Sequence, residues 1–449
     1  MQKRKAAMLA GGFALAFAAG YPAASWYVGK QAQVRLDAAY KTLQDSAQTI
    51  TVSDRRYERG LFSSTETLTL GLRLGPQKPA VPLFTVSSRI RHLPLSGLFT
   101  LSTVAMDSEV NFAENLAPAA AEWTGGQTLA KIHTSLGLGR GSSTFTIPPF
   151  NTARLSTEAA TLKVNFSGDF ANAVTQGSAP RIGIIAPDGA RMDLAGIRLD
   201  ADTQRIHPDM PGLFGGTTRL TIAQLESGGR ANAGASAIVK NMSVEAVLSP
   251  RDGGEFIDYT IKSAIASITA AGKQFGPMQL DLSLRHLHSR SLASLSQMSQ
   301  GVTGENAAQA DQLIETLLTR NPEFSLDRLS FTLPEGETVL SAQARLRDMQ
   351  PGEITDKEIF LRKGYARVDV QTPEKIFQGV APFLFGMFLH QPMDAAMLEN
   401  LIAAGYISRD SGNLKTRFEY RDAQSWLNGK QYAAPNPATH AAPGGMRLR

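Results

Sequence analysis

His286 and His288 close the stretch "MQLDLSLRHLH", which alternates as a strand, so both imidazoles fall on one face and could hold a metal. Spacing assigns no third ligand. The plainer reading is the polar end of an exposed strand face beside Arg285 and Arg290. Asp107 with Glu109, and Asp200 with Asp202, are also same-face pairs. Paired carboxylates do acid–base work when their surroundings push their pKa values apart. Nothing around these two pairs predicts burial, so they read as solvated strand faces. His92, just before Pro94, reads as a solvated strand end. The absence of cysteine excludes disulfides, thiol nucleophiles and thiolate metal sites. No glycine-rich loop ends in Lys-Ser or Lys-Thr, and neither Gly-x-Ser-x-Gly nor His-Glu-x-x-His occurs. "GLGRG", Gly137 to Gly141, lies between strands and reads as a turn rather than a dinucleotide loop. The expectation is a chain with no catalytic, metal-binding or cofactor-binding residues, and no cofactor.

Two other places concentrate aromatic and basic residues. One is "YERGLFSS", with Tyr57, Arg59, Gly60, Leu61 and Phe62. The other is the closing region, with Tyr406, Tyr420 and Trp426. Aromatics with Arg can anchor a partner. The preferred reading is structural: Gly60 permits a turn, and Tyr57, Leu61 and Phe62 pack under the first strand.

The elements that must position these residues begin with the N-terminus. After "MQKRK", residues Ala6 to Val28 carry no charge, about the length of a bilayer-spanning helix, with Trp26 and Tyr27 at the far end. Lys3, Arg4 and Lys5 predict a cytoplasmic start, leaving the body outside the inner membrane. A retained anchor is the favoured reading; a cleaved signal peptide, with "AFA" at Ala16 to Ala18, is the rival. Both export the body. The net charge of +5 equals the contribution of Lys3, Arg4, Lys5, Arg447 and Arg449. The body is therefore balanced, which argues against a nucleic-acid partner.

Leu36, Tyr40, Leu43, Ala47 and Ile50 are spaced as one helix face, a stalk over 29–50. From about 50 to 288, alternating runs separated by Gly, Pro, Asn and Asp predict antiparallel strands, with one short helix in "NFAENLAPAAAEWTGGQ". In "YERGLFSSTETLTLGLRLG" the apolar phase is Leu68, Leu70, Leu72 and Leu74. Helical spacing returns within 289–320. "FSLDRLSFTLPEGETVLSAQARL" reads as a hairpin with a bulge near Asp327–Arg328, because Phe324 and Leu326 are out of phase with Leu329. Thr372 and Pro373 read as the start of a helix, and Met393, Met397, Leu398, Leu401 and Ile402 line another that Gly405 ends. Asn428–Gly429 signals a tight turn.

The fold class expected is α+β and β-rich: long, mostly antiparallel curved sheets, an N-terminal transmembrane or stalk helix, and a few C-terminal helices packed on the sheet. The segments are a basic tip at 1–5, an anchor or signal segment at 6–28, the stalk at 29–50, a body at 51–432 with candidate lobes 51–288 and 289–432, and a disordered tail at 433–449.

The anchor ending in "SWYVGKQ", the "YERGLFSS" element, the "FSLDRLSFTLPEGE" hairpin and the closing "GY…Y…LNGK" together resemble the YdgA-like family of bacterial envelope proteins. The resemblance implies an inner-membrane protein facing the periplasm and transfers no catalytic residue. The function expected is non-enzymatic: a single-pass anchored protein serving envelope assembly or maintenance, with lipid or acyl chains as ligands of an apolar sheet face. A protein-interaction or self-association module, with an envelope protein or a second copy as partner, is the alternative. A hydrolase built on His286 or His288 is a remote third.

Overall fold

A computed structural model describes residues 25–34, 36–38, 40–41, 49–73, 78–92, 102–137, 139–210, 212–229, 236–298, 307–377 and 395–431. Residues 6–24 of the uncharged run and the expected tail at 433–449 lie outside them. No helix among the described residues is long and apolar enough to cross a membrane. The described chain is β-rich, with large antiparallel sheet and a few helices. It forms two compact units that divide at Ser249/Pro250. Short described segments cross the division: 268–273 and 293–298 belong to the first unit. The sequence reading placed the lobe boundary at 288.

The first unit opens with helix α1 over residues 25–41, described except 35 and 39. Strands β1 (Ile50–Arg59), β2 (Ser63–Leu72), β3 (Val81–His92), β4 (Ser102–Phe112), β5 (Ala130–Gly137) and β6 (Arg140–Ile147) follow. The short pair β7 (Phe150–Asn151) and β8 (Leu155–Thr157) comes next. Then come β9 (Ala160–Ser167), β10 (Asn172–Ile185), β11 (Ala190–Arg205), β12 (Phe214–Gly229) and β13 (Ala237–Arg251). Each long strand pairs antiparallel with its neighbour in the order β1-β2-β3-β4-β5-β6-β9-β10-β11-β12-β13. The predicted short helix is present as α2, Ala117–Thr124.

Residues directly opposite one another in an antiparallel pair share a face. One transverse row is therefore Leu162, Gly177, Leu199, Leu220 and Val244, and the next is Val164, Thr175, Ala201, Thr218 and Ala246. The opposite face carries Lys163, Gln176, Asp200, Arg219 and Glu245. Arg219 Nε donates to Glu245 Oε2 at 2.9 Å on that polar side.

The chain continues with β14 (Phe256–Ala270), β15 (Lys273–Phe275), β16 (Met278–His288), helices α3 (Ser289–Met298) and α4 (Ala307–Leu318), and the hairpin β17 (Glu323–Leu333) and β18 (Gly336–Leu346), all in the second unit except the end of β14, Lys273 and the part of α3 from Ala293. The second unit also holds α5 (Lys357–Lys363), β19 (Gly364–Pro373), the helix Ala395–Ala403, β20 (Ser408–Asp410), β21 (Asn413–Arg421), β22 (Gln424–Leu427) and β23 (Lys430–Gln431). Ile261, Leu282, Leu326, Ala342, Val368, Phe418 and Leu427 form one apolar row across it. The hairpin has the predicted bulge: pairing slips between Leu326 and Leu329, and the Asp327 carboxylate accepts from Ser283 and Ser325, both at 2.6 Å. The Ala395–Ala403 helix packs through Leu398 against Phe377, Ile407 and Leu414. Gly405, at φ 74°, ends it as expected.

The helix expected after Thr372 begins at Glu374, one residue later than the sequence reading, and is described as far as Phe377. Thr372 and Pro373 close β19, paired with Leu414 and Asn413, so the strand runs directly into the helix. The Thr338 and Thr372 hydroxyls lie 2.7 Å apart across the ladder.

Gly60 turns the chain from β1 into β2 with its N–H donating to the Ser63 carbonyl at 2.9 Å. The requirement is closeness rather than an unusual φ: a Cβ there would sit 2.6 Å from the Ser63 oxygen. Gly60→Val should therefore lower stability by ~1–3 kcal/mol, read as a shifted urea midpoint with an unchanged m-value.

Candidate functional site

The alternation of β2 extends further back than its leucines. Ser64 and Glu66 share the phase of Leu68, and all three are buried. A glutamate therefore stands in the core-facing register of the first hairpin, its side chain 0% exposed. A bulge in β1 supplies its partner. Pairing slips between Ser53 and Arg56, with Asp54 at φ 50°. The inward phase of β1 thus changes from Ile50 and Val52 to Arg55 and Tyr57. Arg55 Nε donates to Glu66 Oε1 at 2.6 Å, and its guanidinium also pairs with Asp37 on α1. Tyr40, one turn further along α1, donates its hydroxyl to Glu66 Oε2 at 2.9 Å. The Arg55 guanidinium stacks over the rings of Tyr40 and Tyr57, 5.0 and 5.8 Å from their centroids. Burial opposes the charge on Arg55, but its hydrogen bonds to Asp37 and Glu66 hold it above its ordinary value. Burial, with the Glu66 carboxylate facing it, pushes the Tyr40 phenol up.

The rest of the dock is apolar. Val28, Ala32 and Leu36, one helical turn apart, meet Ile90, Val104, Met106 and Leu136. Gly29 lies against His92, where a Cβ would sit 2.3 Å from the imidazole Cε1. His92 corrects the sequence reading: it is 2% exposed, not a solvated strand end, because it shares the buried face of Ile90 and α1 closes over it. Its Nε2 lies 3.0 Å from Ser64 Oγ. Burial pushes its pKa down. Ser25, in the first described turn of α1, donates its hydroxyl to the Leu61 carbonyl at 3.0 Å. Tyr40 and Leu36 were predicted on this face. Glu66, Arg55, Asp37 and His92 were not, although the even phase of Ser64, Glu66 and Leu68 is visible in the sequence.

The predicted residues of the β1–β2 turn divide. Tyr57 packs into the core as expected. Leu61 and Phe62 do not pack beneath the strand: each is 47% exposed at the tip of the turn, although the Phe62 carbonyl still accepts from the His92 N–H of β3 at 2.9 Å. Arg59 stands over the Trp26 ring, 5.2 Å from its centroid. In the second unit the Tyr406 carbonyl accepts from Thr416 Oγ1 and Asn428 Nδ2, both at 3.0 Å, and Arg421 stacks over Trp426 at 5.1 Å. Tyr406 and Trp426 thus belong to the knot around the Asn428–Gly429 turn.

The residues singled out for chemistry stay apart. His286 and His288 sit at a bulge against β14, with His286 at φ 58° and its ring stacked 3.9 Å from that of Phe256. His286 Nδ1 is 2.6 Å from the Arg320 carbonyl, and His288 Nδ1 is 2.8 Å from Ser291 Oγ. Among the described residues no three His, Cys, Asp or Glu side chains are placed to hold a metal. Asp107 accepts from His133 Nδ1 at 2.6 Å and from Arg91 at 2.7 Å, and the bond from His133 holds its carboxyl below the usual range. This dyad lies in a shallow groove of about 660 Å³ on the polar face, beside Ser87, Arg89 and Lys131. Among the described residues no hydroxyl bonds to His133, so no nucleophile is paired with that base.

The geometry defines a β-rich protein in which a helix is docked, through a buried carboxylate, on the first strands of a long antiparallel sheet. The chain belongs to a bacterial protein family of unknown function, DUF945, whose sequence model spans residues 3–434. No curated protein and no solved structure matches it significantly.

Removing Arg55 leaves Glu66 buried beside Tyr40 alone. Arg55→Met should cost roughly 3 kcal/mol, and combining it with Glu66→Leu should cost less than the sum of the two single changes, measured by chemical unfolding. His92 titrates in the opposite sense from a paired histidine. Its neutral form is favoured in the fold, so its contribution is complete above about pH 6.5 and is lost as pH falls through its depressed folded value. Stability of the native chain should drop as the pH is lowered below about 6.5, and His92→Gln should flatten that drop.

Proposed function

We propose that this protein is a non-catalytic, membrane-anchored component of the bacterial envelope that holds lipid acyl chains on an apolar sheet face. The observation that carries the reading is the surplus of apolar rows. In the first unit α1 packs over Ile90, Val104, Met106 and Leu136. The same face continues through Leu162, Leu199, Leu220 and Val244, where the side chains remain partly open to solvent. In the second unit Leu280, Phe324 and Leu329 of the apolar rows are also solvent-accessible. A half-covered hydrophobic face many strands wide suits a flexible hydrocarbon chain, which needs no directional partner. The membrane anchor and periplasmic placement rest on the uncharged run Ala6 to Val28 after three cations, and on the resemblance to the YdgA-like proteins.

The test is native mass spectrometry of residues 25–449, which keep the whole described part of α1, exported to the periplasm and purified without detergent. A discrete added mass that fragments as phospholipid or fatty acid is expected, and Leu199→Asp with Leu220→Asp should abolish it. An apo mass would overturn the reading. A stoichiometric dimer or a co-purifying protein would replace it with an interaction module.

A further inference from the structure

The tip of the first hairpin is unusual for a turn. Leu61 and Phe62, large apolar residues, are each 47% exposed there, where chains normally place polar residues. They are not alone. Ser25 Oγ donates to the Leu61 carbonyl at 3.0 Å, which fixes the tip beside the first described turn of α1. That turn presents Trp26 and Tyr27, 45% and 58% exposed. Arg59 and Lys30 approach the Trp26 ring, 5.2 and 6.0 Å from its centroid. Four solvent-facing apolar or aromatic side chains and two cations thus gather at one end of the helix dock.

We propose that this cluster is a second membrane contact, in which Leu61 and Phe62 enter the interfacial layer of an anionic bilayer beside the anchor. The proposal rests on the anchored part of the functional reading above. The uncharged run ends among these residues, with Val28 already packed on the sheet. A segment that leaves the bilayer there puts Trp26 and Tyr27 at headgroup depth, where such side chains are favoured. The Ser25–Leu61 hydrogen bond then sets the hairpin tip at the same depth. Arg59 and Lys30 supply the charge that anionic headgroups complement. A bilayer also accounts for the exposed tip in a way the sheet core does not, since of Tyr57, Leu61 and Phe62 only Tyr57 packs inward. Two contacts, anchor and tip, hold the dock against rotation about the anchor axis.

The absence of cysteine makes a clean test. Full-length protein carrying Phe62→Cys is labelled with an environment-sensitive nitrobenzoxadiazole dye and reconstituted into vesicles of phosphatidylcholine and phosphatidylglycerol. A control carries the dye at Asp188→Cys, in an exposed turn of the same unit. Carbonate washing reads anchoring separately. The expected result is a blue shift and loss of emission with lipids spin-labelled near the headgroup at position 62, and neither at position 188. A label at 62 that behaves like the control, in protein that resists the wash, overturns the contact and leaves the anchor standing. A blue-shifted label untouched by spin-labelled lipid also overturns it, in favour of a protein partner or second copy. Protein that washes off the vesicles overturns the anchor and the contact together. Leu61→Cys, labelled in the same way, decides the matter if Phe62→Cys fails to fold.

Discussion

Every long strand of an antiparallel meander sends alternate side chains to opposite faces, and the rest of this structure follows from the need to do something with the apolar one. Over β1 to β5 the answer is a helix. Over β9 to β13 the described residues show rows of Leu, Val and Ala that remain partly open, backed by rows of Lys, Gln, Asp, Arg and Glu. The polar backing makes the distinction between the faces unambiguous.

The cover over the first strands is not purely hydrophobic. Burying a carboxylate is costly unless its lone pairs are filled, and replacing such a group by apolar residues often gains stability. Glu66 meets Arg55 and Tyr40, while Asp37 engages the far side of the same guanidinium. Hydrophobic contacts through Val28, Ala32 and Leu36 would tolerate sliding by a turn. Directional bonds from Tyr40 and Asp37 do not. The polar cluster therefore sets where along the helix the dock closes, and Gly29 against His92 sets how closely it approaches.

Much of this fold was legible in the sequence. Alternation predicted the antiparallel strands, the out-of-phase Leu326 and Leu329 predicted the bulge, and Gly405 predicted a helix end, because each depends on backbone geometry within a few residues. The Thr372–Pro373 pair announced a helix that starts one residue later, at Glu374, but not that both residues also close a strand, which the pairing with Leu414 and Asn413 decides. Leu61 and Phe62 misled. Apolar character predicts burial only if the backbone aims the side chain inward, and the tip of a turn does not.

The sequence by itself determined the class of the fold, the uncharged run that precedes it, and the two-residue period from which the apolar faces follow. It carries these because they are local: each is fixed by residue type and spacing along one strand or helix. Which face of each strand is covered, and by what, was decided by tertiary structure alone. Glu66 becomes a buried group only when the bulge at Asp54 turns Arg55 toward it and α1 brings Tyr40 from 26 residues away. His92 becomes buried only when a helix that lacks a side chain at Gly29 closes over its ring.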